Sequence, residues 1–378
     1  MSSPRRSPWS DWAAATNAAI RGAGRWREPR ALDGDGVTHK LDDGRVAVSF
    51  ASNDYLGLSQ HPLVVAAAHD ALDRWGAGSG SARLIVGARP IHDELEAALA
   101  AWKSEAATAL FPTGFMANLG AMSALGGTES VVYSDELNHA SIIDGCRSSR
   151  SEIVVYPHAD LDALVARLGE RGGRRALVVT DTVFSMDGDS AELDALCEIC
   201  ARHDALLVLD EAHAVLGPEP SPAALAACDH LRVGTLSKTL GSLGGFVAGP
   251  AALIALLVNR ARPYIFTTAL TPADAAAALA AVRIVDSPAG AALVGRLRAN
   301  VDRVRPDHPS PIIPVVCGSE QRAVAAAAAL LERGVLVPAI RPPTVAPGTA
   351  RLRVTLSAAH SDAQIDQLLA GLDALDLR

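Results

Sequence analysis

Aromatic residues are scarce, at 4% of 378 positions, so a core in this chain has to be filled by Ala, Val and Leu. Cysteine is sparse and odd in number. Cys146, Cys197, Cys200, Cys228 and Cys317 do not make a disulfide framework in so long a chain, and they suit a reducing cytoplasm. Basic charge is in deficit: 34 Lys and Arg against 42 Asp and Glu give a net charge of −8. That argues against a nucleic-acid partner, which needs a basic face, although a local patch stays open. An unbroken apolar run of membrane length is missing too. The charge-free stretches 106–128 and 239–259 are interrupted by Pro112, Gly114, Gly120, Gly126 and Gly127 in one and by Gly241, Gly244, Gly245, Gly249 and Pro250 in the other. Each therefore reads as short buried elements. Arg5 and Arg6 are followed by Asp11, Thr16, Asn17 and Arg21 rather than by the apolar run of a signal peptide. Ser10-Asp11 reads as a helix start, with a surface helix from Ala13 to Ile20. A soluble, cytoplasmic chain is expected.

What is present is a large apolar share, 49%, against 20% charged residues. The chain can bury a sizeable core, and at roughly 150 residues per domain it divides into two or three lobes. Ala176 to Thr180 and Leu206 to Asp210 read as continuously apolar, buried strands. Between them, Glu192 to Arg202 reads as a helix with Leu193, Leu196, Ile199 and Cys200 on one face. Buried strands alternating with helices predict an α/β fold with a mainly parallel sheet, joined by right-handed crossovers. In such sheets function gathers beyond the carboxyl ends of the strands, where Asp181, Thr182 and Ser185, then Asp210, Glu211 and His213, follow. After about Pro288 the texture changes to helix (Gln321 to Arg333), a short apolar stretch (Gly334 to Val337), a Pro-rich turn (Arg341 to Pro347), a strand (Arg351 to Leu356) and a closing helix (Ser361 to Leu375). The expected organisation is an N-terminal helix and arm over 1–49, a large domain over 50–285 and a smaller α+β domain over 286–378. No internal repeat is visible.

The chemistry concentrates in Asp210-Glu211-Ala212-His213, followed by Thr235-Leu236-Ser237-Lys238. A lone Lys is ordinarily a solvated surface residue. Lys238, however, sits among small and apolar residues near Gly241, Gly244 and Gly245, where burial disfavours the ammonium form and makes the amine nucleophilic, as a Schiff base requires. Asp210, at a strand end, serves either as a loop cap or as the carboxylate that keeps a pyridinium nitrogen protonated. His213 lies within reach of the phenolic oxygen of the same ring. Together these are the parts that pyridoxal 5′-phosphate (PLP) needs. Phe111 to Asn118 reads as a turn entering a helix, where Gly114 lets the backbone close on an anion at the helix start. His139 is either a satisfied histidine or a ring that stacks on the cofactor.

At these residues the chain resembles the α-oxoamine synthase family of fold-type I PLP-dependent transferases. The strings that carry the resemblance are Ser52-Asn53-Asp54-Tyr55-Leu56-Gly57-Leu58, Thr113-Gly114-Phe115, Asn138-His139-Ala140-Ser141, Val183-Phe184-Ser185-Met186-Asp187-Gly188-Asp189, Asp210-Glu211-Ala212-His213 and Thr235-Leu236-Ser237-Lys238. It runs from about residue 20 to the C-terminus, and the specificity lies in six strings in order. The resemblance implies that Lys238 carries the cofactor and that Asp210 pairs with its ring nitrogen. It implies His213 at the ring oxygen, His139 stacked on the ring face, and Ser185 and Thr235 hydrogen-bonded to the cofactor. The phosphate would be met by the Gly114 and Phe115 amides, and by Thr268 of a partner subunit in a homodimer with shared sites. Lys238, His139, Asp210 and His213 are the implied catalytic residues; Arg353, Asn53 and His139 would bind the amino acid, and Arg27 and Thr344 the acyl thioester or product. No metal is implied.

Ile340 to Val345, continuing to Arg351-Leu352-Arg353, is similar to the branch that condenses L-alanine with a pimeloyl thioester, on coenzyme A or an acyl carrier protein, with loss of CO2. The glycine-using and sphingoid-base branches remain alternatives. One departure is the loop after Gly217, which is cut to Pro218-Glu219-Pro220-Ser221-Pro222 where the family carries a longer, glycine-rich segment. A PLP-fold binding protein without turnover would have no need of Arg353 or His139. A structural zinc at Cys197 and Cys200 lacks a second ligand pair, and no G-x-S-x-G elbow supports a serine hydrolase.

Overall fold

In the computed structural model, residues 7–377 are described; Arg5 and Arg6 lie outside them. The N-terminal helix spans Pro8–Gly22, three residues earlier than Ser10-Asp11 suggested. Ser7 is the N-cap, its hydroxyl accepting the Trp9 amide, and Pro8 occupies the first turn, where its missing N–H costs nothing. No residue of this helix is buried. A hairpin-like arm follows, with β1 (Asp33–Asp35), β2 (Thr38–Lys40) and β3 (Val46–Ser49).

The seven strands of the large sheet are β4 (Ala107–Phe111), β5 (Ser130–Asp135), β6 (Glu152–Tyr156), β7 (Arg175–Asp181), β8 (Ala205–Asp210), β9 (His230–Thr235) and β10 (Gly245–Gly249). Their order is β4-β10-β9-β8-β7-β5-β6. The five strands from β5 to β9 run parallel, whereas β10 is antiparallel to both β9 and β4. The fold is thus α/β with a mainly parallel sheet, as the sequence pattern predicts. Along β7, Leu177 and Val179 pack on one face with the helices Gly114–Leu125 and Ala140–Ser148, while Val178 packs on the other with Leu193–Arg202. This two-sided burial explains why the strand reads as an unbroken apolar run.

Both charge-free stretches resolve into short elements. The first becomes β4, a turn and the helix Gly114–Leu125; the second becomes a turn, β10 and the helix Ala251–Arg260. Among the described residues no single helix is long and apolar enough to cross a membrane. Cys197 and Cys200 are core residues of the helix Leu193–Arg202.

The C-terminal strands are β11 (Ile312–Gly318), β12 (Val335–Leu336), β13 (Ala339–Ile340) and β14 (Ala350–Thr355). They make a sheet in the order β11-β14-β13, while β12 joins β1-β2-β3 by parallel pairing to β3. All six residues of β14 are buried. Its two arginines, Arg351 and Arg353, reach the turn after β7 instead of solvent.

Candidate active site

β7 and β8 pair with Asp181 opposite Asp210, so the strand ends deliver two carboxylates side by side. Both are buried. Asp210 is held at both oxygens: Oδ1 accepts the Ala212 amide at 2.9 Å and Oδ2 accepts the Asn118 side-chain amide at 2.6 Å. Asp181 Oδ2 accepts the His139 backbone amide at 2.7 Å. Burial, reinforced by repulsion from Asp210, pushes the Asp181 carboxyl well above the ordinary carboxylate range.

Lys238 arrives from the loop between β9 and β10. Gly241 makes that loop possible. Its φ is +60°, and a Cβ there would lie 2.3 Å from the Ser59 nitrogen, so only glycine lets the loop close on this backbone. Lys238 Nζ stands 2.8 Å from His213 Nε2. Burial lowers the Lys238 amine from its ordinary value against the opposing pull of Asp210 and Asp181. Burial also drives His213 well below its ordinary value, and Lys238, Arg353 and His139 add to the effect. The result is an amine of lowered basicity facing a neutral imidazole.

A hydrogen-bonded chain continues from there. His213 Nδ1 lies 2.5 Å from the Tyr55 hydroxyl, which donates to Asn53 Oδ1 at 3.2 Å. The same oxygen accepts from Arg353 Nη1 at 3.2 Å and Nη2 at 3.3 Å. Burial raises the Tyr55 hydroxyl to about 12, so it keeps its proton. Arg353 is further fixed by Nε donating to the Ser185 carbonyl at 2.5 Å and Nη1 to Thr355 Oγ1 at 2.9 Å.

An anion cradle completes the cavity. Thr113 caps the helix Gly114–Leu125: its hydroxyl accepts the Met116 amide at 3.1 Å and its carbonyl the Ala117 amide at 3.0 Å. The amides of Gly114 and Phe115 then have no acceptor within the helix, and the helix start favours negative charge. The hydroxyls of Thr235 and Ser237, 2.8 Å apart, line the same cavity of about 240 Å³ with His139, Asp210 and Lys238. A phosphate cradle, a buried carboxylate, an amine and an imidazole in one cavity fit PLP.

Of the residues singled out in the sequence, Gly114, Phe115, His139, Asp210, His213, Thr235 and Lys238 line that cavity. Asn53 and Arg353 contact each other, and Ser185 touches Arg353 through its carbonyl. Arg27 and Thr344 share a separate cavity of about 700 Å³ with Trp26 and Arg341, and Arg341 ties the arm down by donating to the Gly24 carbonyl at 2.7 Å. Thr268 bridges to Ala82 and does not line the cavity of its own chain. Sequence reasoning placed Asp181 at a functional strand end without giving it a role, and it left out Asn118, Ser141, Ser237 and Tyr55. The signal was available for Asn118, which follows Gly114 by one helical turn.

The chain is 51% identical to the 8-amino-7-oxononanoate synthase of Anaeromyxobacter dehalogenans, covering 94% of this chain and 96% of that protein. Among solved structures, serine palmitoyltransferase from S. paucimobilis with a bound PLP–myriocin aldimine superposes with a TM-score of 0.89 at 29% identity, covering 99% of this chain and all of that one (100%). The 8-amino-7-oxononanoate synthase of Francisella tularensis superposes with a TM-score of 0.72 at 27% identity over 88% of this chain and 98% of that one. The model for aminotransferase class I and II matches residues 45–372, and the chain belongs to that family.

Proposed function

We propose that this chain is a PLP-dependent acyltransferase with 8-amino-7-oxononanoate synthase activity. L-Alanine and a pimeloyl thioester give 8-amino-7-oxononanoate, CO2 and the free thiol, a step of biotin biosynthesis. The observation that carries this reading is the convergence of Lys238, His213, Asp210, His139 and the Gly114–Phe115 cradle in one cavity. The relatives that are about half identical along nearly the whole chain supply the substrate pair.

Gly114, Phe115, Thr235 and Thr268 of the partner subunit would hold the phosphate of PLP, Asp210 the ring nitrogen, His213 the ring oxygen, His139 the ring face and Lys238 the aldehyde carbon. Bound there, PLP supplies an electron sink for the pair freed when a bond at the Cα of the amino acid breaks. The chain does the rest. Asp210, anchored at both oxygens, is held in one orientation toward the ring nitrogen's place. Arg353 orients the amino-acid carboxylate with help from Asn53. Lys238, its basicity lowered by burial, would take the Cα proton. The groove at Arg27 and Thr344 receives the acyl chain or product.

A homodimer with shared sites accounts for Thr268, which lies beside an apolar segment where Leu84, Ile85 and Val86 are 51%, 73% and 71% exposed. Sedimentation of the purified chain reads this, and a monomer at assay concentration ends the shared-site reading. Cytoplasmic localisation accords with five free cysteines.

Product identification by mass spectrometry after incubation with PLP, alanine and pimeloyl-CoA tests the activity, with pimeloyl-acyl carrier protein as the second donor. Glycine with acetyl-CoA in parallel tests the alternative, a glycine C-acetyltransferase. Lys238→Ala should abolish both turnover and covalent retention of the cofactor under borohydride. Full activity in that variant would remove Lys238 from the mechanism.

A further inference from the structure

Asn118 is 2% exposed, and its side-chain nitrogen makes two contacts in the cavity. It donates to Asp210 Oδ2 at 2.6 Å and to Ser141 Oγ at 2.9 Å. The opposite amide orientation would set Oδ1 against a carboxylate oxygen, two acceptors face to face, so Asp210 fixes how Asn118 points. Ser141 Oγ, having accepted from Asn118, still has its own proton to give. Its nearest acceptor is His139 Nδ1 at 2.7 Å. The Ser141 backbone amide points at the same nitrogen from 3.2 Å. A ring nitrogen approached by two donors has to offer its lone pair. The imidazole proton of His139 therefore sits on Nε2.

We propose that Asn118 and Ser141 are positioning residues of this site: one buried amide holds Asp210 and, through the Ser141 hydroxyl, holds His139 as the neutral Nε2–H tautomer. The proposal rests on reading the cavity as the cofactor site, and it deepens that reading. The two groups assigned to the ring, one at its nitrogen and one at its face, are set by a single side chain. With Nδ1 blocked by two donors, His139 can give a hydrogen bond to a carbonyl or carboxylate oxygen of the substrate but cannot serve as the proton acceptor. Lys238 is left as the base. Asp181, Asp210, Lys238 and His213 also face this imidazole from the neighbouring strand ends and loops, and they are unchanged in the variants below.

The test uses the full-length chain with ¹⁵N-labelled histidine, observed by NMR before and after addition of PLP. At neutral pH His139 should show a protonated Nε2 and an unprotonated Nδ1. In Ser141→Ala the loss of one donor at Nδ1 should raise the titration midpoint of His139 by about one pH unit, the worth of one hydrogen bond. Asn118→Ala should raise it as well and, unlike Ser141→Ala, weaken PLP binding by about tenfold or more through the loss of a charge-assisted bond to Asp210. A protonated Nδ1 in the parent chain, or an unmoved midpoint in folded Ser141→Ala, overturns the proposal. So does wild-type PLP affinity in Asn118→Ala. The tautomer is read without substrate, so a failed product assay and a failed positioning role remain distinguishable.

Discussion

Arg353 concentrates the residue-scale argument. It is 5% exposed and spends four of its five N–H groups inside the protein, on Ser185, Thr355 and twice on Asn53. One Nη2 hydrogen is left for a ligand. The guanidinium is thus aimed before any substrate arrives, and a carboxylate reaching it meets a charge that needs no reorganisation. Arg353→Ala should raise KM for alanine by about tenfold or more while leaving PLP affinity within about threefold, since none of its hydrogen bonds reaches the phosphate cradle. Arg353→Lys should recover little, because a point charge does not reproduce the fork. Steady-state kinetics together with a cofactor titration separate the cases. A large loss of PLP affinity with unchanged KM moves Arg353 out of the substrate site.

The D-E-A-H segment shows how elements hold the site. Asp210 faces the cavity, but Glu211 turns into a buried ion cluster. Its carboxylate lies 2.8 Å from Lys103 Nζ and 2.5 Å from Arg232 Nε. Burial alone would raise the Glu211 carboxyl, but Lys103 and Arg232 overcome it and hold the group below its ordinary value. The shortened loop adds Glu219, 3.4 Å from Arg232 and 3.7 Å from Lys103, so the departure in length carries a second carboxylate to the cluster. Arg232→Met leaves a buried carboxylate with one cation and should cost about 3–5 kcal/mol of folding stability. Urea unfolding measures it. A loss under about 1 kcal/mol would show the cluster to be slack.

The same contrast explains what the sequence revealed. β7, β8 and the Lys238 loop were legible because burial and turn chemistry are written locally, in apolar runs and glycines. Tyr55 and Asn118 were not, because each matters through a hydrogen bond to a residue distant in the chain: 158 positions from Tyr55 to His213 and 92 from Asn118 to Asp210. The true N-cap at Ser7 was hidden by a second plausible cap at Ser10.

At the scale of the molecule, the arm and the C-terminal elements are sewn together at His360. This imidazole is 1% exposed and stacks on Phe50 at 4.2 Å between ring centroids. Nδ1 accepts the Ser357 amide at 3.0 Å, so Nε2 carries the proton and donates to the Ser49 carbonyl at 3.0 Å. Ser49 belongs to β3, and Asn300 ties the His360 carbonyl to the helix Pro288–Val304. Burial lowers His360 from 6.5 to about 4, against the bond to the Ser49 carbonyl. Between those values the unfolded chain binds a proton that the folded chain refuses, so stability is whole above about pH 6.5 and declines as pH falls. At pH 5 the deficit from this one group is about 2 kcal/mol. His360→Gln should be less stable than the parent at pH 7.5 but should lose about 2 kcal/mol less between pH 7.5 and 5, because the other histidines contribute equally to both proteins. Urea unfolding of the pair at the two pH values reads the difference directly. Parallel losses would mean that His360 titrates alike in the folded and unfolded chains, and that the join between the arm and the C-terminal elements is not held by a neutral ring.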